Sequence, residues 1–180
     1  MRWLRAPDLP EALVYGIAMA LSCLVSFWID TTAAARLPFV NQSTVLLGGM
    51  WAVIATVFVF RYSFGQSVAA ALSRMVATTV SLVLCLLYLL ALPFSPVGMA
   101  ALIAAGAIIM TVAGRREDTI TAGITTAVVM VVAALDPNNA WLQPILRFAD
   151  TVVGVAVGVT AAWIGATLVR LRRPAPSRSG

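Results

Sequence analysis

Two arginines stand in matched positions of a repeated sequence pattern. The segment RMVATTVS, which begins at Arg74, aligns without gaps with RFADTVVG, which begins at Arg147. In each copy a threonine, Thr78 or Thr151, follows the arginine by one helical turn, so the two side chains share a helix face. A guanidinium binds a carboxylate through paired hydrogen bonds and keeps its charge. These four side chains are therefore candidates for binding a negatively charged group.

Further polar and aromatic side chains could line the path of such an anion. Asp150 follows Arg147 by three residues on the same face, which favours an ion pair within the helix. The alternative for Asp150 is a carboxylate that couples transport to a proton. Trp51 could stack on an aromatic substrate, although a lipid-facing tryptophan is the more common arrangement.

A run of threonines follows an acidic pair in the second half of the chain. Thr119 is the first of these threonines and could bind substrate, or the hydroxyls could bond back to carbonyls of their own helix. Glu117 and Asp118 stand just before it, where acidic side chains usually cap a helix. Gly154 and Gly158 form a ridge of small residues for helix packing, against the third helix or a second subunit.

The composition places these residues in a membrane. Of 180 residues 61% are hydrophobic and 11% are charged, and the mean hydropathy is +0.97. In a bilayer both arginines have an alternative role as interfacial anchors that reach for lipid phosphates. The chain has no histidine or lysine, and no nucleophile, base and orienting group come together, so we expect neither an enzyme nor a cofactor or metal site. Cys23 and Cys85 fall in apolar stretches and are expected to pack there.

Six apolar segments are each about long enough to cross the roughly 30 Å hydrocarbon core. They are bounded by proline, glycine, asparagine and charged residues, and the sequence predicts an all-α integral membrane protein. The predicted spans are residues 11–28, 44–60, 66–92, 97–113, 119–135 and 148–169. Small residues after the first span leave a cleaved signal peptide as its alternative, but the apolar run exceeds the roughly 7–15 residues of such peptides.

The arginines predict the orientation of the spans. Ten of the twelve flank one side, and only Arg36 and Arg147 flank the other. Because basic loops stay in the cytoplasm, both termini are predicted to be cytoplasmic, as a head at residues 1–10 and a basic, disordered tail at residues 170–180. The same dispersal of arginines along membrane edges argues against nucleic-acid binding.

The repeat extends beyond the arginine segments. Thr44 and Gly48 of the second span match Thr119 and Gly123 of the fifth. Residues 11–92 and 97–169 are therefore predicted to be two copies of a three-helix unit. Because three is odd, the copies cross the membrane in opposite senses and form an inverted repeat, which is typical of transporters.

At these motifs the chain resembles the fusaric acid resistance protein family, also described as aromatic acid exporters. The family repeats an approximate R-x-x-G-T-x-x-G pattern in each half of a six-helix membrane unit. The arginine and threonine of both copies match this pattern, and Gly154 completes the second, whereas Ala77 and Asp150 stand where the family has glycine. The segment RREDTITAG resembles the charged start of the family's fifth helix.

The resemblance implies a secondary transporter in the bacterial inner membrane that exports small organic anions, above all aromatic carboxylates. Full-length members usually add a cytoplasmic domain and often a second membrane half. A single six-helix unit is thus expected to form a homodimer, as in the distantly similar plant malate channels, and a periplasmic adaptor could join it. Two alternatives stay open: a passive organic-anion channel, and a non-transporting membrane subunit of a larger efflux assembly.

Overall fold

The protein is an all-helical membrane protein. The structure is a computed structural model that describes residues 9–38 and 40–172, and these residues contain six α-helices and no strand. Five helices are long and apolar enough to cross a membrane, and the fourth is a shorter apolar helix. The predicted fold class is therefore confirmed. The helices are α1 (Leu9–Ala34), α2 (Gln42–Val59), α3 (Phe64–Ala91), α4 (Pro96–Val112), α5 (Thr119–Leu135) and α6 (Leu142–Arg172).

Three helices begin at a capping side chain that the sequence supplies. The Asn41 side chain accepts a hydrogen bond from the backbone N–H of Thr44 at 2.8 Å, at the start of α2. Ser63 and Ser95 do the same at the starts of α3 and α4. These caps satisfy amides that have no partner within the helix, so each helix starts close to its predicted position.

Two of the predicted helix boundaries are wrong, the end of α1 and the start of α6. The first helix continues six residues past the predicted end and closes at Ala34, and α6 begins at Leu142, six residues before the predicted start. Pro144 falls in the first turn of α6, where its missing N–H breaks no helical bond, so it does not delimit the helix as the sequence suggested. The first three residues of the predicted tail belong to α6. The rest of that tail and most of the predicted head lie outside the described residues.

The centre of the bundle is formed by α3 and α6. The helix α3 packs against α2, α4, α5 and α6, and α6 packs against α1, α2, α3 and α5. The predicted repeat makes α4, α5 and α6 the counterparts of α1, α2 and α3. Each pair of helices that pack together has a counterpart pair that also packs together; for example, α1 packs against α6 and α4 packs against α3. An inverted repeat would produce this pattern, but the repeat and the cytoplasmic position of the termini stay predictions.

The small-residue ridge of α6 packs against α2 of the same chain. A Cβ added at Gly154 would lie 2.2 Å from the Ala52 carbonyl oxygen, and one at Gly158 would lie 3.3 Å from the Thr56 carbonyl oxygen. The sequence predicted α3 or a second subunit as the partner, and that choice was wrong. The Thr56 hydroxyl also donates to the Gly154 carbonyl at 3.0 Å. This close contact lets side chains further along α2 and α6 meet.

Candidate functional site: a buried polar cluster

Six polar and aromatic side chains from four helices meet inside the bundle. They come from α1, α2, α3 and α6, and each is at most 5% exposed. We call this set the buried polar cluster: Asp30, Trp51, Arg74, Arg147, Asp150 and Thr151. Four of its members were predicted from the sequence to bind substrate, and Asp150 was the predicted proton-coupling residue.

Arg74 lies deep in the bundle, without a carboxylate partner among the described residues. It is the eleventh residue of α3, about 15 Å along the helix, and is 3% exposed. Its guanidinium carbon lies 5.5 Å from the centroid of the Trp51 ring and 4.8 Å from that of the Phe58 ring. Within the described parts of the chain Nε and Nη2 have no hydrogen-bond partner, and neither ion pair includes Arg74. The interfacial-anchor alternative is therefore wrong for this residue.

The two aromatic rings do not offset the burial of the Arg74 charge. A desolvated cation over an aromatic face gains about 2 kcal/mol. Removing one ion from water costs several kcal/mol even after the protein relaxes. The remaining cost would be offset by an anion that accepts hydrogen bonds from the guanidinium.

Arg147 is also buried, at 2% exposure, but it has a carboxylate partner. Its Nη1 lies 3.1 Å from Asp150 Oδ2, so the predicted ion pair is confirmed. The anchor alternative is wrong here as well. Arg147 is the sixth residue of α6 rather than a residue at its start, because the helix begins earlier than predicted. The proton-coupling role of Asp150 stays a prediction.

Asp30 of α1 is the member of the cluster that the sequence did not predict. It is 4% exposed, and it meets Asp150 over the backbone of Gly48. A Cβ at Gly48 would lie 2.7 Å from Asp30 Oδ2 and 3.2 Å from Asp150 Oδ1. The first span was predicted to end at residue 28, which placed Asp30 outside the membrane. One sequence signal could have revealed Asp30. It lies one helical turn after Ser26, so a first helix that continued past residue 28 would carry this carboxylate into the membrane on the same polar face.

Trp51 connects the two arginines through Thr151. Its Nε1 donates to Thr151 Oγ1 at 2.9 Å, and the Thr151 hydroxyl donates to the Arg147 carbonyl at 2.8 Å. The Trp51 side chain is 2% exposed, so the alternative of a lipid-facing ring is wrong. The Trp51 ring thus lies between the unpaired guanidinium of α3 and the ion pair of α6.

Two predicted threonines have different positions. Thr78 lies one turn after Arg74, fully buried, and its Oγ1 has no partner among the described side chains and backbone. Thr119 stands at the start of α5, and no hydrogen bond connects it to the buried polar cluster. Further along that helix the Thr125 hydroxyl donates to the carbonyl of Thr121, as the back-bonding alternative predicted.

The acidic residues before α5 do not all cap it. Asp118 makes no side-chain capping bond; its carboxylate accepts from the Ser73 hydroxyl and pairs with Arg115 at 2.5 Å. The predicted capping role is therefore wrong for Asp118. Instead, this carboxylate joins the start of α5 to α3 at the residue next to Arg74.

The two arginines line neither of two cavities, which have volumes of about 240 and 210 Å³. The larger is an apolar groove between α3 and α6, and the smaller lies near the ends of α4 and α5. Their lining residues are Thr79, Leu82, Val83, Leu86, Pro144, Ile145 and Phe148 in the first, and Pro93, Phe94, Ala133, Ala134, Pro137 and Ala140 in the second. In this conformation protein atoms close around the buried polar cluster.

Comparison with known proteins agrees with this architecture. The family model described as Fusaric acid resistance protein-like matches residues 37–161, about two thirds of the chain. That range contains both arginine segments, the helices α2 to α5 and the first two thirds of α6. Neither the curated proteins nor the solved structures gave a match. The chain belongs to the fusaric acid resistance protein-like family, a family of multi-pass membrane proteins with a role in transport and efflux.

Proposed function

We propose that this protein is a secondary transporter that moves small organic anions, above all aromatic carboxylates, out of the cell across the bacterial inner membrane. The observation that carries the proposal is Arg74: a guanidinium inside the bundle whose buried Nε and Nη2 have no acceptor in the described chain. A carboxylate fits this gap in charge and in shape, because its two oxygens match the two parallel donors of a guanidinium.

The neighbours of Arg74 favour an aromatic substrate. Trp51 and Phe58 are two helical turns apart on one face of α2, with the Arg74 guanidinium over both rings. An aromatic carboxylate could therefore bind the guanidinium with its charged end and contact these rings with its own ring. Phe58 is 41% exposed, unlike the rest of this site, so its side chain is the nearest one through which Arg74 could become accessible.

The direct test is anion transport by purified protein in liposomes. Benzoate, cyclohexanecarboxylate and benzamide serve as probes, because the second removes the aromatic ring and the third removes the negative charge. We expect saturable transport of benzoate, slower transport of cyclohexanecarboxylate and none of benzamide. Arg74→Gln should reduce benzoate transport by at least about 100-fold, since about 2.7 kcal/mol corresponds to that factor.

The matched control is Arg36→Gln, which removes an exposed arginine from the turn between α1 and α2. Its transport rate should equal that of the unmodified protein. Full benzoate transport by Arg74→Gln, or equal transport of benzamide, would contradict the proposal.

A passive channel is separated from a carrier by its kinetics. The closed packing around Arg74 favours a carrier, because the anion can reach the guanidinium only if the protein rearranges. A carrier saturates with substrate and shows counterflow of labelled against unlabelled benzoate. Current that rises in proportion to the driving force, without saturation or counterflow, would identify a channel instead.

The homodimer predicted from the family resemblance belongs to the same proposal. The helix α1 packs against α2 and α6, yet only 11% of its most apolar window is buried, so this helix presents a large apolar surface. Native mass spectrometry from nanodiscs measures the number of copies. The measurement distinguishes a lipid-covered surface on a monomer from an interface between two copies.

A further inference from the structure

The two carboxyl groups of the buried polar cluster face one another. Asp30 on α1 and Asp150 on α6 both reach the place that a Cβ of Gly48 would occupy, and the absence of a side chain there leaves them room. The Cβ position of Gly48 lies 2.7 Å from Asp30 Oδ2 and 3.2 Å from Asp150 Oδ1, so these two oxygens are within about 6 Å of each other. A hydrogen bond between two carboxyl oxygens requires a proton on one of them, because an ionised carboxylate only accepts.

Donors for these oxygens are scarce. Asp30 Oδ2 has no hydrogen-bond partner in the described chain, and Asp150 Oδ2 has only the ion-pair contact with Arg147 Nη1 at 3.1 Å. The nearby Ser26 hydroxyl is fully buried and likewise makes no hydrogen bond there. A proton held between Asp30 and Asp150 would supply the missing donor.

The charged groups around the pair are few. Arg147 on α6 is the guanidinium that acts on both carboxyls, and Arg74 on α3 is the next one, beyond the Trp51 ring. The helix α2, which packs against both α1 and α6, has no ionisable residue, and neither has α5. Within the described chain, Arg147 is therefore shared by the two carboxyls Asp30 and Asp150, whereas Arg74 has no carboxyl beside it.

From this charge distribution we propose that Asp30 and Asp150 share one exchangeable proton, which the protein binds and releases together with the anion at Arg74. The inference rests on the proposed function and specifies its energy coupling. Without proton and anion, two guanidinium groups balance two carboxylates. With both bound, the same two guanidinium groups balance one carboxylate and the anion, so the cluster is neutral in either state.

Binding of only one of the two would leave a net charge in a medium of low dielectric constant, where it is costly. Proton and anion therefore promote each other's binding, and by linkage the coupling is reciprocal. The chemical change is small: an O–H bond forms on one carboxyl with a proton from water, and the anion enters unaltered. Substrate then leaves the cell with a proton, driven by its own concentration gradient rather than by exchange for an incoming proton.

The test is benzoate binding to the full chain in nanodiscs, measured by titration calorimetry from about pH 6 to about pH 9, where a free carboxylic acid stays ionised. Repeating the titration in buffers with different ionisation enthalpies gives the number of protons taken up per benzoate. We expect uptake that approaches one proton, and an affinity that falls up to about tenfold per pH unit on the alkaline side.

Asp30→Asn imitates the protonated carboxyl permanently, because the amide keeps the shape and donates the hydrogen bond. This variant should bind benzoate as tightly at high pH as the unmodified protein does at low pH, with no proton uptake. Glu117→Gln, which changes an exposed carboxyl outside the cluster, should keep the original pH dependence.

Two results would overturn the inference while leaving the proposed function intact: benzoate binding without proton uptake, or the same pH dependence in Asp30→Asn as in the unmodified protein. Absence of benzoate binding at every pH in the unmodified protein would instead contradict the proposed function itself. The two failures are thus distinguishable in one set of titrations.

Discussion

The two arginine sites occupy matching positions of the sequence repeat but have opposite electrostatic surroundings. Arg147 has Asp150 three residues later and Asp30 close by, whereas the residue three positions after Arg74 is the fully buried Ala77. Arg74 instead has two aromatic rings. The same side chain on the same helix face is thus neutralised in one half and left charged in the other.

This difference indicates a division of labour between the halves. A buried ion pair whose partners are satisfied contributes to the structure, and removing one partner is costly. A buried charge without a partner is poorly explained by stability alone and is better explained by a ligand. Under the proposed function, the ion pair of the second half would hold the site together and Arg74 of the first half would bind the anion.

A large loss of benzoate affinity is expected when the first site is made to resemble the second. Ala77→Asp places a carboxylate one turn from Arg74, as Asp150 is from Arg147. The new carboxylate should occupy the guanidinium and weaken benzoate binding by about 100-fold, or 2.7 kcal/mol. Titration calorimetry measures the affinity. Ala77→Asn has nearly the same size without the charge, and an equal loss in both variants would show that crowding, not charge, is responsible.

Removing the guanidinium of the second site tests its structural role. Arg147→Gln leaves Asp150 and Asp30 buried without their positive charge and should lower the free energy of unfolding by about 3–5 kcal/mol. Arg74→Gln should change it much less, because Asp150 keeps its ion pair with Arg147 and the carboxyl pair can hold the shared proton. Chemical unfolding in detergent measures both. Adding Asp150→Asn to Arg147→Gln should recover stability, and two arginine variants of equal stability would contradict the division of labour.

A matched pair of glycines gives a smaller contrast between the halves. Gly48→Ala adds a methyl group 2.7 Å from Asp30 Oδ2, and should cost about 1–2 kcal/mol as the carboxyls move apart. The nearest atom to a methyl group at Gly123 is 3.7 Å away, on Ile103, so Gly123→Ala should be neutral or gain up to about 1 kcal/mol from helix propensity. Thermal unfolding midpoints compare the two. Equal midpoints would mean that the carboxyls are not held over Gly48.

The smallest effect concerns the connection between the sites. Trp51→Phe keeps a ring beneath Arg74 but removes the donor to Thr151, which should cost about 0.5–1.5 kcal/mol of stability. Benzoate affinity should fall by less than about threefold, since a 0.6 kcal/mol change corresponds to that factor. Trp163→Phe changes an exposed ring and serves as the control. A large loss of affinity in Trp51→Phe would show that the indole N–H contacts the substrate.

Much of the fold was predictable from the sequence, because apolar run length and capping residues determine where membrane helices begin and end. The start of α6 was not, since Pro144 is compatible both with a loop and with a first helical turn. The matched arginines were found from the repeat, but their burial was not, because a guanidinium near a helix end can reach either lipid phosphates or the bundle interior. Asp30 was missed because its partner Asp150 is distant in sequence and only packing brings the two together.

The short fourth helix has a consequence for the surrounding lipid. With 17 residues α4 is about 25 Å long, several Å less than a typical hydrocarbon core, whereas the 26 residues of α1 reach about 39 Å. Lipids beside α4 must therefore compress while α1 tilts, at a fraction of a kcal/mol for each Å of mismatch. Acyl chain length thus acts on these two helices in opposite directions: a thinner bilayer relieves the mismatch at α4 and increases it at α1.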